Sequence, residues 1–590
     1  MKKVFLSLLL TGAVAGFINA QESIGGIPWS VSNKVALESS KVSVLSLPTP
    51  DYVKAQKEDE YNETIGKPGK YRVALAVNSD INLAKGSFTY LSDGRRIWRL
   101  HVEIPNSQAL KLQYGDFYLP AGVTYYVQNE NRKQLIGGYS YSSNTYTKSM
   151  AHEMIQGSAV NLEMDIEAGV DLSAVQFEIN QVYGLYRGAE RINHDYGNAT
   201  TEATYDIDAA DSCQINAKCA PAAPWFNYAN AVAHIWITDG NSGGFCSGTL
   251  INNTAKDCAP LFLTASHCDG NNSYSSSNFS QWEFSFNIWT PLCGGGGNIN
   301  YTKVAKGADF LARSYMTIPG GSESGPLYGD FLLLKLKSSN SVLSSWGLAL
   351  AGWNSAPTST DTAWVSFHHP KGDAMKFTKM RPLNTNGSFN TAEVGTHWAA
   401  KQVIGGSEPG SSGSGIWEAS TGRLIGDLSG GSGSACTVGR SNLYSKISYT
   451  WNNEHDTAYY SNGIVNANNS KLSKFLDPGN TNATSTEFKW LSNPCDVVSI
   501  QEVKELENAI SLYPNPNSGF VYMKVNLAKV SELKVDVINI VGQHVGSYTL
   551  KNVGLNEEFK FDFSSFQSGV YMMSISSENV RITKKFVINK

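Results

Sequence analysis

A net charge of −4 on 590 residues gives no electrostatic case for a nucleic-acid partner. The 17% of charged residues, with 54 glycines and 28 tyrosines, points to a β-rich extracellular protein with polar loops, and the length to several domains. Past the start, no run approaches the ~20 apolar residues of a membrane helix, so no transmembrane span is expected.

Residues 1–20 read as a secretory signal. Lys2 and Lys3 supply the charge, Val4 to Phe17 the apolar middle, and Ile18-Asn19-Ala20 a small-residue cleavage site. From 21 to 206 short alternating runs recur, such as Tyr71–Val77, Ile97–Glu103, Val123–Val127 and Val160–Asp165. This is a cysteine-free β-rich domain that ends in a polar, protease-accessible linker, Asn193–Asp206. All 8 cysteines lie between Cys213 and Cys495, which marks 207–495 as the stapled unit of an exported protein. Sequence alone leaves on the order of a hundred pairings open. No Cys-x-x-Cys or His-x-x-x-His spacing supports a metal, and no cofactor is expected. Runs such as Ala231–Ile237, Gln281–Phe286 and Thr362–Phe367, set between glycine-rich turns, predict mostly antiparallel strands. Leu472–Pro478 predicts a short helix stopped at its proline. Residues 508–590 predict a small, cysteine-free β-sandwich.

Three stretches carry chemistry. Gly406–Trp417 sets Ser412 between Gly410 and Gly413, where a sharp turn can aim two backbone amides at a developing oxyanion. Leu261–Cys268 delivers His267 at the end of an apolar strand, and Tyr328–Leu336 places Asp330 at the start of another. A serine hydroxyl needs an imidazole to take its proton, and the imidazole needs a carboxylate to fix its tautomer. The order His, Asp, Ser is that of chymotrypsin-type enzymes.

Residues 213–480 resemble the bacterial lysyl endopeptidase family of chymotrypsin-fold serine proteases. The resemblance runs through Cys246–Thr254, Phe262–Cys268, Asp330–Leu336, Ala351–Trp353, His368–Pro370, Glu408–Ser414 and Leu476–Pro478. It implies an all-β double β-barrel protease domain at 207–495. His267 would be the general base, Asp330 its orienting carboxylate and Ser412 the nucleophile, with the Gly410 and Ser412 amides as oxyanion hole. It also implies substrate contacts at Ser407, Ser429, Gly430, Gly431 and Asn442, the glycines forming an edge that pairs with substrate backbone. Implied disulfides are Cys213–Cys436, Cys219–Cys293 and Cys246–Cys268, with Cys258 and Cys495 left over as a pair. Residues 508–590 resemble the type IX secretion sorting domain of Bacteroidetes, through Tyr513–Pro516, Gly569–Tyr571 and the basic last strand. That implies the type IX secretion machinery as a partner, and a secreted or cell-surface location. A carbohydrate-binding or adhesive module is the alternative for this segment.

Two departures separate the chain from the family. Asn442 stands where the family has the aspartate that selects lysine, so lysine specificity is not carried over, and a polar or small P1 residue is expected. Ser429 replaces a family histidine, and the family's stacking tryptophan has no match. Ser411 stands where trypsin-like zymogens carry an aspartate, so activation must use other contacts. Residues 21–206 are expected to be a pro-domain that assists folding or blocks the cleft, with an adhesive domain as the alternative. His368 and His369, adjacent on a strand, point to opposite faces and are expected to be structural. The reading for the whole is a secreted serine endopeptidase acting on polypeptides. Its rivals are an inactive binding protein on a protease scaffold and a carbohydrate-active protein.

Overall fold

The computed structural model describes residues 25–590 apart from 33–41, 145–147, 149, 190–208, 271–274, 295–298, 300–302, 315–328, 391, 438, 453–466, 494, 496–505, 528–530, 541–543, 555 and 578–579. The signal-like segment 1–20 and the linker 193–206 lie outside the described residues. Described residues up to Asn493 (255–257 aside) form one compact unit, and those from Pro494 a second.

Two closed rings of antiparallel strands occupy the middle of the first unit. One contains Val232–Thr238, Ser242–Ile251, Leu261–Ala265, Glu283–Phe286, Phe331–Leu336 and a strand bent at Gly307. Before the bend, Val304–Lys306 pairs with Glu283–Phe286; after it, Ala308–Arg313 pairs with Phe331–Leu336 and completes the ring. Gly307 has φ of +78°, and a Cβ there would come within 3.1 Å of the Ser280 carbonyl, so the corner needs glycine. In the second ring, Lys376–Gly387 pairs on one side with Trp364–His368 and on the other with His397–Ile404. Gly415–Glu418, Leu424–Gly431 and Ser441–Lys446 complete it. Its inward positions fill with Trp364, Met380, Trp398, Ile416, Ile425 and Tyr444, all buried. Closure pairs most of each strand's backbone without leaving long sheet edges. This is the all-β, chymotrypsin-like double barrel expected from the sequence. The short helix Ser473–Leu476 follows the second ring.

Disulfides link Cys213 to Cys436, Cys219 to Cys293 and Cys246 to Cys268. Cys258 and Cys495 are also disulfide-bonded, and no described cysteine is free.

The N-terminal region is mostly strand, and its longest helix, Tyr52–Thr64, is capped by Asp51, whose carboxylate accepts the Lys54 N–H at 2.9 Å. The helix buries only Ala55 and Asp59, so its sequence carries no apolar stripe to announce it. Part of this region is not a separate layer. Tyr71–Ile81 lies between Gln176–Leu185 and the first barrel, running antiparallel to Ser242–Phe245 with Tyr71 opposite Phe245 and Leu75 opposite Ser242. One sheet thus passes from the N-terminal region into the barrel.

Buried charge crosses the same junction. Lys111 Nζ sits 2.6 Å from Glu283 Oε2, both side chains about 5% exposed or less, and also donates to the His152 carbonyl. Lys306 donates to the Met150 carbonyl at 2.7 Å, and burial pushes its ammonium down to about 8. From Pro494 on, a three-stranded and a four-stranded sheet enclose a core that includes Val521, Met523, Val535, Met573 and Phe586.

A buried ion pair stripped of one partner leaves an uncompensated charge. Lys111→Met should therefore cost about 3–5 kcal/mol in urea unfolding, and the double change Lys111→Met/Glu283→Leu should recover most of that loss.

Candidate active site

His267 is delivered by the strand Leu261–Ala265 and a following 3-10 turn, Ser266–Cys268. Asp330 precedes Phe331–Leu336, the strand paired with it, in a register that sets Ala265 opposite Phe331. The carboxylate grips the histidine twice. Oδ1 accepts the His267 backbone N–H at 3.0 Å, and Oδ2 lies 2.6 Å from the ring Nδ1. An ionised carboxylate only accepts, so Nδ1 carries the proton and Nε2 is left basic. Burial pushes the Asp330 carboxyl up. The His267 charge and the hydrogen bonds from His267 and Ser429 outweigh it, and hold the group below the usual aspartate range. Arg313, fully buried, donates to Ser266 and pairs with Asp269 at 2.7 Å, which pins the turn from behind.

The serine comes from the other barrel. Gly406–Gly415 leads into Gly415–Glu418, and its shape depends on two glycines. Gly413, at φ +80°, lies so close to the histidine strand that a Cβ would come 2.1 Å from Thr264 Oγ1 and 2.6 Å from Ala265 N. Gly410 has φ of +93°, and its Cβ would press on Lys371 N at 2.9 Å. Ser412 is buried to 9% exposure. Its carbonyl accepts from Ser247 N at 2.8 Å and lies 3.8 Å from the sulfur of Cys268, the neighbour of His267. Around it, Ser411 N–H donates to Glu408 O and Gly413 N–H to Leu428 O. The Gly410 and Ser412 amides donate to no protein acceptor among the described residues. No hydrogen bond joins Ser412 Oγ to His267 in this conformation.

Several contributors have no sequence signature. Ser247 ties the two barrels together. Its N–H and hydroxyl donate to the Ser412 and Gly410 carbonyls, the latter at 2.9 Å, while its hydroxyl accepts from His369 N at 2.8 Å. Ser411, in place of an aspartate, is held by His368 Nδ1 at 2.8 Å and accepts from Glu408 N at 3.1 Å. His369 turns instead to the Asp373 carbonyl. Burial pushes His368 to about 3 and His369 to about 4, so both stay neutral props. Phe389, half-buried, sets its ring centre 6.5 Å from that of His267 and against Gly430, whose Cβ would meet it at 2.6 Å.

The other sequence-predicted residues separate into two groups. Ser429 faces inward, with its hydroxyl at 3.0 Å from His397 Nε2 and bonded to Asp330, so its side chain belongs to the carboxylate's support. Gly430 and Gly431 pair with Leu443 and Asn442 on one side only; the opposite partner strand ends at Gly415, opposite Asp427. Ser407 and Asn442 meet in a buried contact, the serine donating to the amide oxygen at 2.8 Å. Asp427 is buried on the same face of its strand as Ser429. Among the described residues no group of three or more His, Cys, Asp or Glu is placed to hold a metal.

Residues 207–445 match the family model "Lysyl endopeptidase, C-terminal domain", and residues 511–589 match "Secretion system C-terminal sorting domain". A lysyl endopeptidase of Pseudomonas aeruginosa is 26% identical over 272 residues, 45% of this chain and 52% of that protein. The chain thus spans about half the length of the curated relative it matches. Among solved structures, the thermostable serine protease AL20 from an extremophilic microorganism is 11% identical, over 37% of this chain and 92% of its own, with a TM-score of 0.25. Neuropsin from mouse brain is 12% identical, over 42% and 99%, also at 0.25. Both likenesses are too low to bear on the fold, which rests on the strand pairing. By sequence, then, the chain resembles the lysyl endopeptidases through its double barrel and carries a secretion-system sorting domain at its end.

Proposed function

We propose that the double barrel is a serine endopeptidase. His267 Nε2 would take the proton from Ser412 Oγ as the hydroxyl attacks the scissile carbonyl, and Asp330 would stabilise the imidazolium. The Gly410 and Ser412 amides would receive the oxyanion. As it collapses the C–N bond breaks and His267 gives its proton to the departing amine, and a water deprotonated by His267 then releases the acyl group from Ser412 as a carboxylic acid. The observation that carries this reading is the pair of amides without a protein acceptor, flanking a serine on a loop pressed against the end of the histidine strand. Gly430 and Gly431, paired on one side only, supply an edge for substrate backbone.

Residues 21–206 would act as a pro-domain, held to the barrel by the shared sheet and the Lys111–Glu283 pair. The sorting domain would direct export by the type IX machinery to the cell surface or medium. A second reading, a non-catalytic binding protein on this scaffold, is favoured by the missing bond between Ser412 and His267.

Asp427 bears on the electrostatics of the carboxylate. Its Oδ2 has no protein partner among the described residues, and burial, aided by the nearby Asp330 charge, pushes its carboxyl well above the usual range. It would therefore favour the neutral form and add no second charge beside Asp330.

Ser412→Ala should lower casein hydrolysis roughly a million-fold. Undiminished turnover would remove Ser412 from the mechanism and favour the binding protein. Gly410→Ala, which forces a side chain onto Lys371 N, should lower kcat roughly 100-fold in steady-state kinetics with little change in KM. For Asp427 the sign follows from linkage. Below about pH 3.9 both folded and unfolded forms are protonated; above it the unfolded form ionises while the folded one does not, which penalises folding. Asp427→Asn should therefore gain stability over the parent as pH rises above 4, with a slope of at most about 1.4 kcal/mol per pH unit in urea titrations.

A further inference from the structure

Ser411 stands where trypsin-like zymogens carry an aspartate, and the anion of the nucleophile loop lies three residues earlier, at Glu408. Its carboxylate is 2% exposed and is held from outside the loop. Oε2 accepts the Asp211 N–H at 3.0 Å and the Gln214 side-chain amide at 2.8 Å, and Oε1 lies 2.9 Å from Lys371 Nζ. The same ammonium pairs with Asp211 Oδ1 at 2.7 Å, and the Lys371 N–H donates to the Pro409 carbonyl at 2.6 Å. Lys371 therefore grips two successive residues of the loop.

Glu408 passes this hold to its neighbours. Its N–H donates to Ser411 Oγ at 3.1 Å and its carbonyl accepts the Ser411 N–H at 2.9 Å, so the two residues move together. Gly410 and Ser412, whose amides have no protein acceptor among the described residues, flank Ser411. A buried carboxylate is tolerable only with hydrogen-bonding or charged partners. Two of the three named here come from Ala210–Gln214, at the start of the protease region. That segment is tied down separately, by the Ala210 N–H on Asp373 Oδ2 at 3.3 Å and by Cys213, bonded to Cys436. Were it to lift, Glu408 would keep Lys371 alone, and the loop would shift to bring the carboxylate to water.

We propose that Glu408 is the positioning residue of the nucleophile loop, and that Ala210–Gln214 is the peptide whose docking on it holds the oxyanion amides in place. The proposal rests on the serine-endopeptidase reading above. Asp211 completes the clamp, since the hydrogen bond from Lys371 holds its carboxyl below the usual range and keeps it ionised at neutral pH. A backbone N–H and an internal lysine thus do here what a newly freed amine does in trypsin-like zymogens.

The test is steady-state kinetics of the full chain and its variants on a fluorogenic peptide taken from one of the parent's own casein cleavage sites. Fluorophosphonate labelling of Ser412 and urea midpoints are measured alongside. Glu408→Gln keeps the shape but drops the charge. Its kcat should fall roughly 10- to 100-fold with KM changed less than about 3-fold, because displaced amides cost the transition state more than ground-state binding. Lys371→Met should show the same split, and Lys371→Arg should restore most of the lost kcat. Glu408→Gln/Lys371→Met should lose no more than the worse single change, since both remove one clamp. Asp211→Asn, at a side chain 39% exposed, should lower kcat roughly 2- to 5-fold, the scale of a partly exposed ion pair. A folded Glu408→Gln protein with parental kcat would overturn the proposal, and so would one whose KM rises while kcat holds. If that variant does not fold, parental kcat in both Lys371→Met and Asp211→Asn overturns it instead. A parent that neither labels nor cleaves fails the endopeptidase reading, whereas a parent that cleaves while its variants match it fails the clamp alone.

Discussion

The contact on which the candidate site depends is the seating of the serine loop on the histidine strand. Gly413 lies so near Thr264 and Ala265 that no side chain fits between them, and Ser247 fixes the approach with hydrogen bonds to the carbonyls of Ser412 and Gly410. Each barrel closes on its own, so nothing within either one sets their relative position. The buried polar contacts between them do, since each would leave an unpaired donor or acceptor in the interior if the barrels slid. The free amides of Gly410 and Ser412 are a product of that seating. Their neighbours Ser411 and Gly413 spend their own N–H groups on Glu408 and Leu428, which fixes the loop and leaves the alternate donors aimed outward.

Support for the carboxylate follows a similar logic. Asp330 is fully buried and ionised, which is sustainable only because its oxygens accept from the His267 backbone, the His267 ring and Ser429. Behind it, burial pushes His397 to about 4, so that a neutral imidazole bonds Ser429 without adding charge. A single ionised acid is thus surrounded by groups held neutral.

Much of the barrel was legible in the sequence because its signals are local. Apolar runs ending in Ala265-Ser-His and beginning at Asp330, and glycines around Ser412, follow from what a few neighbouring residues can do. The short helix at Ser473–Leu476 was legible for the same reason, through Pro478. What local pattern could not reveal is pairing between distant segments. Tyr71–Leu75 reads as an ordinary alternating strand, and nothing in it names Ser242–Phe245, well over a hundred residues on, as its partner. Ser247 reads as one more small residue in a glycine-rich strand. Its importance arises from the other barrel. Ser429 was read as a substrate contact from its place on the edge strand, yet its side chain turns to Asp330, at an irregularity between Leu428 and Gly430 that motif position does not reveal.

The sheet that runs from Tyr71–Leu75 into Ser242–Phe245 has a consequence for the molecule should the chain between them be cut. Cutting the chain removes no hydrogen bond from that seam, so scission and separation are distinct events. Peeling the N-terminal piece away would lay bare a row of unpaired backbone groups and an orphaned Glu283 carboxylate in one stroke. A severed fragment would accordingly be a clamped guest whose departure demands its own destruction, or a replacement strand laid along the same groove.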